Sequence, residues 1–233
     1  MTPRNSAIIV GVLFITATAS YMLGSSLLDP ILNASDYLVE VSENENQVLI
    51  GMFFEIVNCL AVVGISVVLF PILKKHSNTL ALGYIGLRII ESVTVIVGSI
   101  SLISLMSLSQ QYVTGTGDVI IFLARGSEIL ATRDLTILLG INVVFPIDAF
   151  LLNFLLLRSK LVPRWISGWG LIGAILMLLR IAGFAAGFWD IFGTNQVAVL
   201  ALPIWVQEMV FAVWLIVKGF NLSKIPSAAE KQI

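Results

Sequence analysis

Six ionisable residues stand inside long apolar stretches of this sequence: Glu55, Arg88, Glu91, Asp148, Arg180 and Glu208. Carboxylates held beside a guanidinium in an apolar setting can bind a proton, a cation or a cationic molecule, and such a carboxyl can also serve as a general acid or base. Arg88 and Glu91 are three residues apart, so a helix brings them to one face, where they can pair. Asp148 and Glu208 come from separate stretches, each with a proline shortly before it, Pro146 and Pro203. A proline removes one helical hydrogen bond and frees the carbonyl four residues back, here those of Asn142 and Val199. Freed carbonyls beside acids match the broken-helix sites of transporters, although prolines are also common in membrane helices without any such role.

The elements that must position these residues are set by composition. The chain has 233 residues, 58% of them hydrophobic and only 12% charged, against about 25% charged in a soluble domain. Its mean hydropathy is +1.00. A helix crosses a bilayer with roughly 20 apolar residues, and six spans fit, at about 7–28, 49–73, 80–105, 135–157, 165–189 and 197–217. Helices are required because lipid offers the backbone no hydrogen-bond partner. The expected fold is an all-α integral membrane protein, a six-transmembrane-helix bundle forming one domain over 1–233. Arg4 followed by an apolar stretch and Ala17-Thr18-Ala19 resembles a secretory signal, but the apolar run continues to Leu28, which favours an uncleaved first helix.

Loop cations set the orientation. Arg4, Lys74, Lys75, Arg158, Lys160, Arg164, Lys218, Lys224 and Lys231 fall on one side and only Arg125 and Arg133 on the other, nine against two. The positive-inside rule then makes both termini cytoplasmic. The outer segments 36–47 and 109–134 are long enough to act as lids or to pack as short helices, and packing is preferred. Trp165, Trp169, Trp189 and Tyr84 sit near span ends as an aromatic belt would place them. Glycines such as Gly183 and Gly187 allow close helix contacts.

Depth orders the charges. At about 1.5 Å per residue from the inner end of each span, Arg88 lies roughly 12 Å up, Glu91 roughly 16 Å, and Asp148 and Glu208 roughly 14 Å. These four share one tier near the middle of a hydrocarbon core ~30 Å thick. Arg180 and Glu55, roughly 22 Å and 27 Å up, form an outer tier that balances as an ion pair. The middle tier does not balance, because three carboxylates face one guanidinium. Uncompensated charge there is very costly, so either a proton or a bound cation neutralises the excess. Asn142 and Gln207 add amides at this level, which gives a ligand-binding set of Arg88, Glu91, Asp148, Glu208, Asn142 and Gln207. The bland alternative treats Arg88–Glu91 as a structural tie and the amides, with Asn58 and Asn153, as glue worth roughly 0.6–2 kcal/mol each.

Other chemistry is excluded. The single histidine, His76, stands beside Lys74 and Lys75 in a loop, so neither a His-rich zinc site nor an axial haem ligand is available. The single cysteine, Cys59, lies in an apolar run and should pack as a small hydrophobe. There is no Lys inside a span for a Schiff base and no Gly-rich phosphate loop with its Lys. No cofactor and no dedicated metal centre is expected, although carboxylates alone suit Mg²⁺, Ca²⁺ or Mn²⁺. A net charge of −1 gives no attraction to nucleic acid.

Three stretches, Leu82–Glu91, Arg158–Trp165 and Gln207–Phe220, carry a resemblance to the bacterial and archaeal multi-pass membrane family catalogued as domain of unknown function 4386. The resemblance implies a prokaryotic inner-membrane protein of one domain. It places Arg88, Glu91 and Glu208 in the family pattern, does not carry over to Asp148, and implies no activity and no catalytic residue. The function expected first is binding or transport of a proton, a cation or a small cationic or amphipathic molecule. The alternatives are an intramembrane enzyme acting on a lipid or isoprenoid, and a non-catalytic membrane subunit or sensor accessory. The expected partners are the lipid bilayer and a small-molecule or cation ligand.

Overall fold

A computed structural model of the chain describes residues 1–115, 117–185 and 199–224. Among them there are helices and turns but no strand. The helices are α1 (Pro3–Leu32), α2 (Tyr37–Glu43), α3 (Glu45–Leu73), α4 (Asn78–Val113), α5 (Val119–Ile137), α6 (Phe145–Ser159), α7 (Arg164–Ala185) and α8 (Leu202–Val217). A π-helical stretch, Leu138–Val144, joins α5 to α6, and a 3₁₀ turn, Val199–Ala201, leads into α8. Six of the resulting segments are long and apolar enough to cross a membrane: Pro3–Leu32, Glu45–Leu73, Asn78–Val113, Val119–Ser159, Arg164–Gly183 and Val199–Val217. Large apolar side chains such as Phe53, Leu60, Ile120 and Ile172 face outward, on a scale that a water-soluble surface does not carry. The protein is an all-α, multi-pass membrane bundle. The expected end of the fifth span at Trp189, the start of the sixth at Val197, and Gly187 and Lys231 lie outside the described residues.

The fourth span departs from its expected bounds of 135–157. It begins at Val119 and runs unbroken to Ser159. Asp118 starts it, its side chain accepting from the Ile120 amide at 2.9 Å, as an N-cap does. Arg125, Glu128, Arg133 and Asp134 interrupt the apolar run in sequence. The helix forms nevertheless, because Phe122, Ile129 and Leu130 recur at helical spacing and pack on a buried cluster that includes Leu102, Leu105 and Leu108. Pro146 and Pro203 stand near the starts of α6 and α8, where a proline disturbs the helical hydrogen bonds of the turn before it. The irregular backbone lies just before each of them, as the π stretch and the 3₁₀ turn.

Backbone contacts divide the chain into two compact units. The first comprises Met1–Ile15, Val62–Ile90 and Ile141–Ile233. Its core gathers Phe14, Ile65, Leu69, Tyr84, Leu155, Leu156, Phe211 and Leu215, with the Phe14 and Phe211 rings edge to face at 5.4 Å. α6 packs on α7, and α7 on α8. Gly173 makes the second contact close, since a Cβ there would lie 2.9 Å from the backbone of Ile204. The second unit comprises Thr16–Ala61 and Glu91–Gly140. Its core is Leu28, Ile31, Leu38, Val41, Val48, Leu102 and Leu105. Within it, α2 and α5 both pack against this core, which is the packing role preferred for the two outer segments.

Candidate functional site

The first unit builds its polar site around Arg88. α4 presents Tyr84 and Arg88 four residues apart, one turn of the same face. The Arg88 Nε–H donates to Tyr84 Oη at 3.1 Å and stands 3.2 Å from Asp148 Oδ1 on α6. Its Nη2 lies 3.7 Å from Glu208 Oε1 on α8. The guanidinium also sits over two rings, 5.4 Å from the Tyr84 centroid and 5.5 Å from that of Phe145, a cation–π arrangement that strengthens away from water. Three helices thus contribute one cation and two carboxylates to a single group.

Access divides the two acids. The Arg88 and Asp148 side chains are 2% and 0% exposed, whereas that of Glu208 is 14% exposed. The shorter contact is therefore the fully buried one, and the longer contact belongs to the less buried acid. Two carboxylates from two helices thus share the Arg88 guanidinium, Asp148 at the shorter distance and Glu208 at the longer.

Around this group, Gln207 ties the helices together. Its Nε2 donates to Asn153 Oδ1 on α6 and to the Ile166 carbonyl on α7, both at 3.2 Å. Its buried Oε1 makes no hydrogen bond with the described residues. Asn142 lies in the π stretch, and its Oδ1 accepts from Arg180 Nη1 at 2.6 Å. Glu91, one turn beyond Arg88 on α4, is buried and falls within the second unit. There, its carbonyl accepts from Thr94 Oγ1 at 2.7 Å.

The second unit holds the other ion pair. Glu55 meets Arg133, with Oε1 2.5 Å from Nη2 and Oε2 3.4 Å from Nη1, while Ser99 Oγ donates to Oε2 at 2.5 Å. The partner expected for Glu55 was Arg180, so this is a correction. Arg133 had been placed in a loop, but the early start of α5 carries it into a helix and turns it inward. Cys59 packs as a small buried side chain, its Sγ 3.6 Å from the Ser92 carbonyl. Tyr84, expected in an aromatic belt, is instead fully buried against Arg88, a placement that its four-residue spacing to Arg88 could have signalled. Phe145 gave no signal before the packing of α6 was known.

Comparison with known proteins gives one family and one relative. A family model described as Domain of unknown function (DUF4386) matches residues 9–219. A protein of the archaeon Archaeoglobus fulgidus, described as an uncharacterized protein, is 33% identical over 91 residues, or 36% of this chain and 48% of that one. The chain thus spans about half the length of that relative. No solved structure matches.

Proposed function

This chain belongs to the family described as Domain of unknown function (DUF4386), and on that footing we propose that it binds or translocates a proton or a small cation through the Arg88–Asp148–Glu208 group. The observation that carries the proposal is the sharing of one guanidinium by two carboxylates from two helices. Arg88 and Asp148 form the fixed pair, sealed by Tyr84 and Phe145. Glu208 is the exchangeable member, because it is both the more distant from Arg88 and the more exposed. Gln207 holds α8 in register through Asn153 and Ile166, and its buried Oε1 adds an acceptor next in sequence to Glu208.

The same reading places the protein in a prokaryotic inner membrane with both termini cytoplasmic. The burial of Arg133 against Glu55 supports the orientation, since it leaves Arg125 as the sole cation in the outer count. The experiment is ion flux in proteoliposomes, read with a trapped pH-sensitive dye under an imposed potential and repeated with Na⁺ or tetraphenylphosphonium as the driven ion. Wild-type protein should move at least one of these ions, and Glu208→Gln should not. Equal flux in the two proteins would remove the role of Glu208. Silence in both, with no cation raising the unfolding temperature, would leave the group as a structural tie.

A further inference from the structure

A second site lies at the basic end of the first unit, away from the buried charges. A cavity of about 530 Å³ opens between the α6–α7 connection and the end of α8, and Lys160, Arg164, Lys218 and Lys224 all line it. No carboxylate lines it among the described residues. Its walls are fixed by specific bonds. Lys160 closes α6 in the left-handed conformation, φ 56°. The Asn221 amide donates to the Leu161 carbonyl at 2.8 Å and pins the segment after α8 to the α6–α7 connection. Arg4 caps α8, its Nη2 donating to the Ile216 carbonyl at 2.7 Å.

A groove of about 440 Å³ adjoins this cavity and shares Trp214 and Lys218 with it. The groove is wholly apolar apart from Lys218, and follows Val206, Val210, Val213 and Val217 along one outward face of α8. That row is roughly 16 Å long at 1.5 Å per residue, about half the ~30 Å hydrocarbon thickness of a bilayer and thus one leaflet deep. Trp214 stands where the two cavities meet, edge to face with Trp165 at 6.5 Å, in the amphipathic role such rings take at a membrane interface.

We propose that this paired cavity is a binding site for an anionic membrane phospholipid, its phosphate headgroup among Lys160, Arg164, Lys218 and Lys224 and one acyl chain in the α8 groove. The cations supply charge complementarity, since basic pockets between membrane helices recognise lipid phosphates. The groove distinguishes a lipid from free phosphate, which would use only the headgroup cavity.

The test is native mass spectrometry and thermal unfolding of the purified full chain in neutral detergent, titrated with phosphatidylglycerol, with phosphatidylcholine of the same chains, and with inorganic phosphate. Wild-type protein should bind phosphatidylglycerol at least tenfold more tightly than phosphatidylcholine. Lys218→Gln/Lys224→Gln should weaken phosphatidylglycerol about 25-fold, or fivefold per lysine, equivalent to ~1 kcal/mol each. Val213→Trp, a substitution on the outward face, should fill the groove and weaken the lipid at least fivefold. Should the double variant not fold, Lys224→Gln alone, at an exposed position, should still cost about fivefold. Undiminished phosphatidylglycerol binding in the lysine variants would overturn the headgroup assignment. Phosphate binding as tight as that of the lipid, with Val213→Trp inert, would overturn the lipid and leave a soluble-anion site.

Discussion

Replacing Arg88 by Met removes the cation that touches both Asp148 and Glu208 while keeping a long apolar stem in place. At an effective dielectric near 20, unit charges 3.2 Å apart attract by ~5 kcal/mol and charges 3.7 Å apart by ~4.5 kcal/mol. In the intact group, desolvation cancels most of this attraction. Once the guanidinium is gone, Asp148 keeps its desolvation penalty without that attraction, because its side chain has no exposure. Breaking a buried pair by removing one partner costs ~3–5 kcal/mol, and Arg88→Met should fall in that range. Arg88→Met/Asp148→Asn removes both members of the sealed pair and should return to within ~1–2 kcal/mol of wild type, the remainder being a buried amide. The assay is equilibrium unfolding in mixed micelles followed by helical circular dichroism, arranged as a double-mutant cycle. A cost below ~1 kcal/mol for Arg88→Met, or single costs that simply add in the double variant, would refute the sealed pair.

Arg133→Gln should destabilise by ~3 kcal/mol or more in the same assay, because it leaves the largely buried Glu55 carboxylate with the neutral Ser99 hydroxyl in place of a guanidinium. Arg133→Gln/Glu55→Gln should recover most of that loss, and failure to recover would place the cost elsewhere in α5. His76 predicts a pH effect. Burial, and then the neighbouring Lys75 charge, hold its imidazole below the ordinary value of 6.5. The unfolded chain therefore binds a proton that the folded chain resists, so stability present above about pH 6.5 is lost as the pH falls through the lowered value. Unfolding curves of wild type and His76→Asn should run parallel above pH ~6.5 and approach or cross below it. A constant difference across that range would contradict the assignment.

Membrane character, six spans and the buried charges were legible because each rests on composition. Continuous apolar runs mark spans without knowledge of packing, and an Arg such as Arg88 inside one must face protein. The bounds of the fourth span were not legible by the same route. Arg125, Glu128 and Arg133 lower the local hydropathy, while the helix there depends on Phe122, Ile129 and Leu130 meeting a cluster assembled from distant residues. The pairing of Glu55 failed for the same reason, since depth counted along separate spans carries no information about which helices are neighbours. Arg88, Asp148 and Glu208 meet because one unit brings them together. Glu91, counted to the same depth, falls to the other unit, a distinction made by backbone contacts alone. The π stretch was read in outline as a proline defect. Pro146 marks its end, and Asn142 within it offers its side-chain oxygen to Arg180.

The most direct test of an exchangeable charge at Glu208 is the unfolding temperature of wild type and Glu208→Gln, measured in lipid nanodiscs from pH 5 to 9 at low and high cation concentration. The glutamine should leave the Arg88–Asp148 pair balanced one to one, so the account predicts a folded variant within ~1 kcal/mol of wild type. Wild type should respond to pH or to cation, and the variant should not. Identical responses in the two proteins, or none in either, would contradict it.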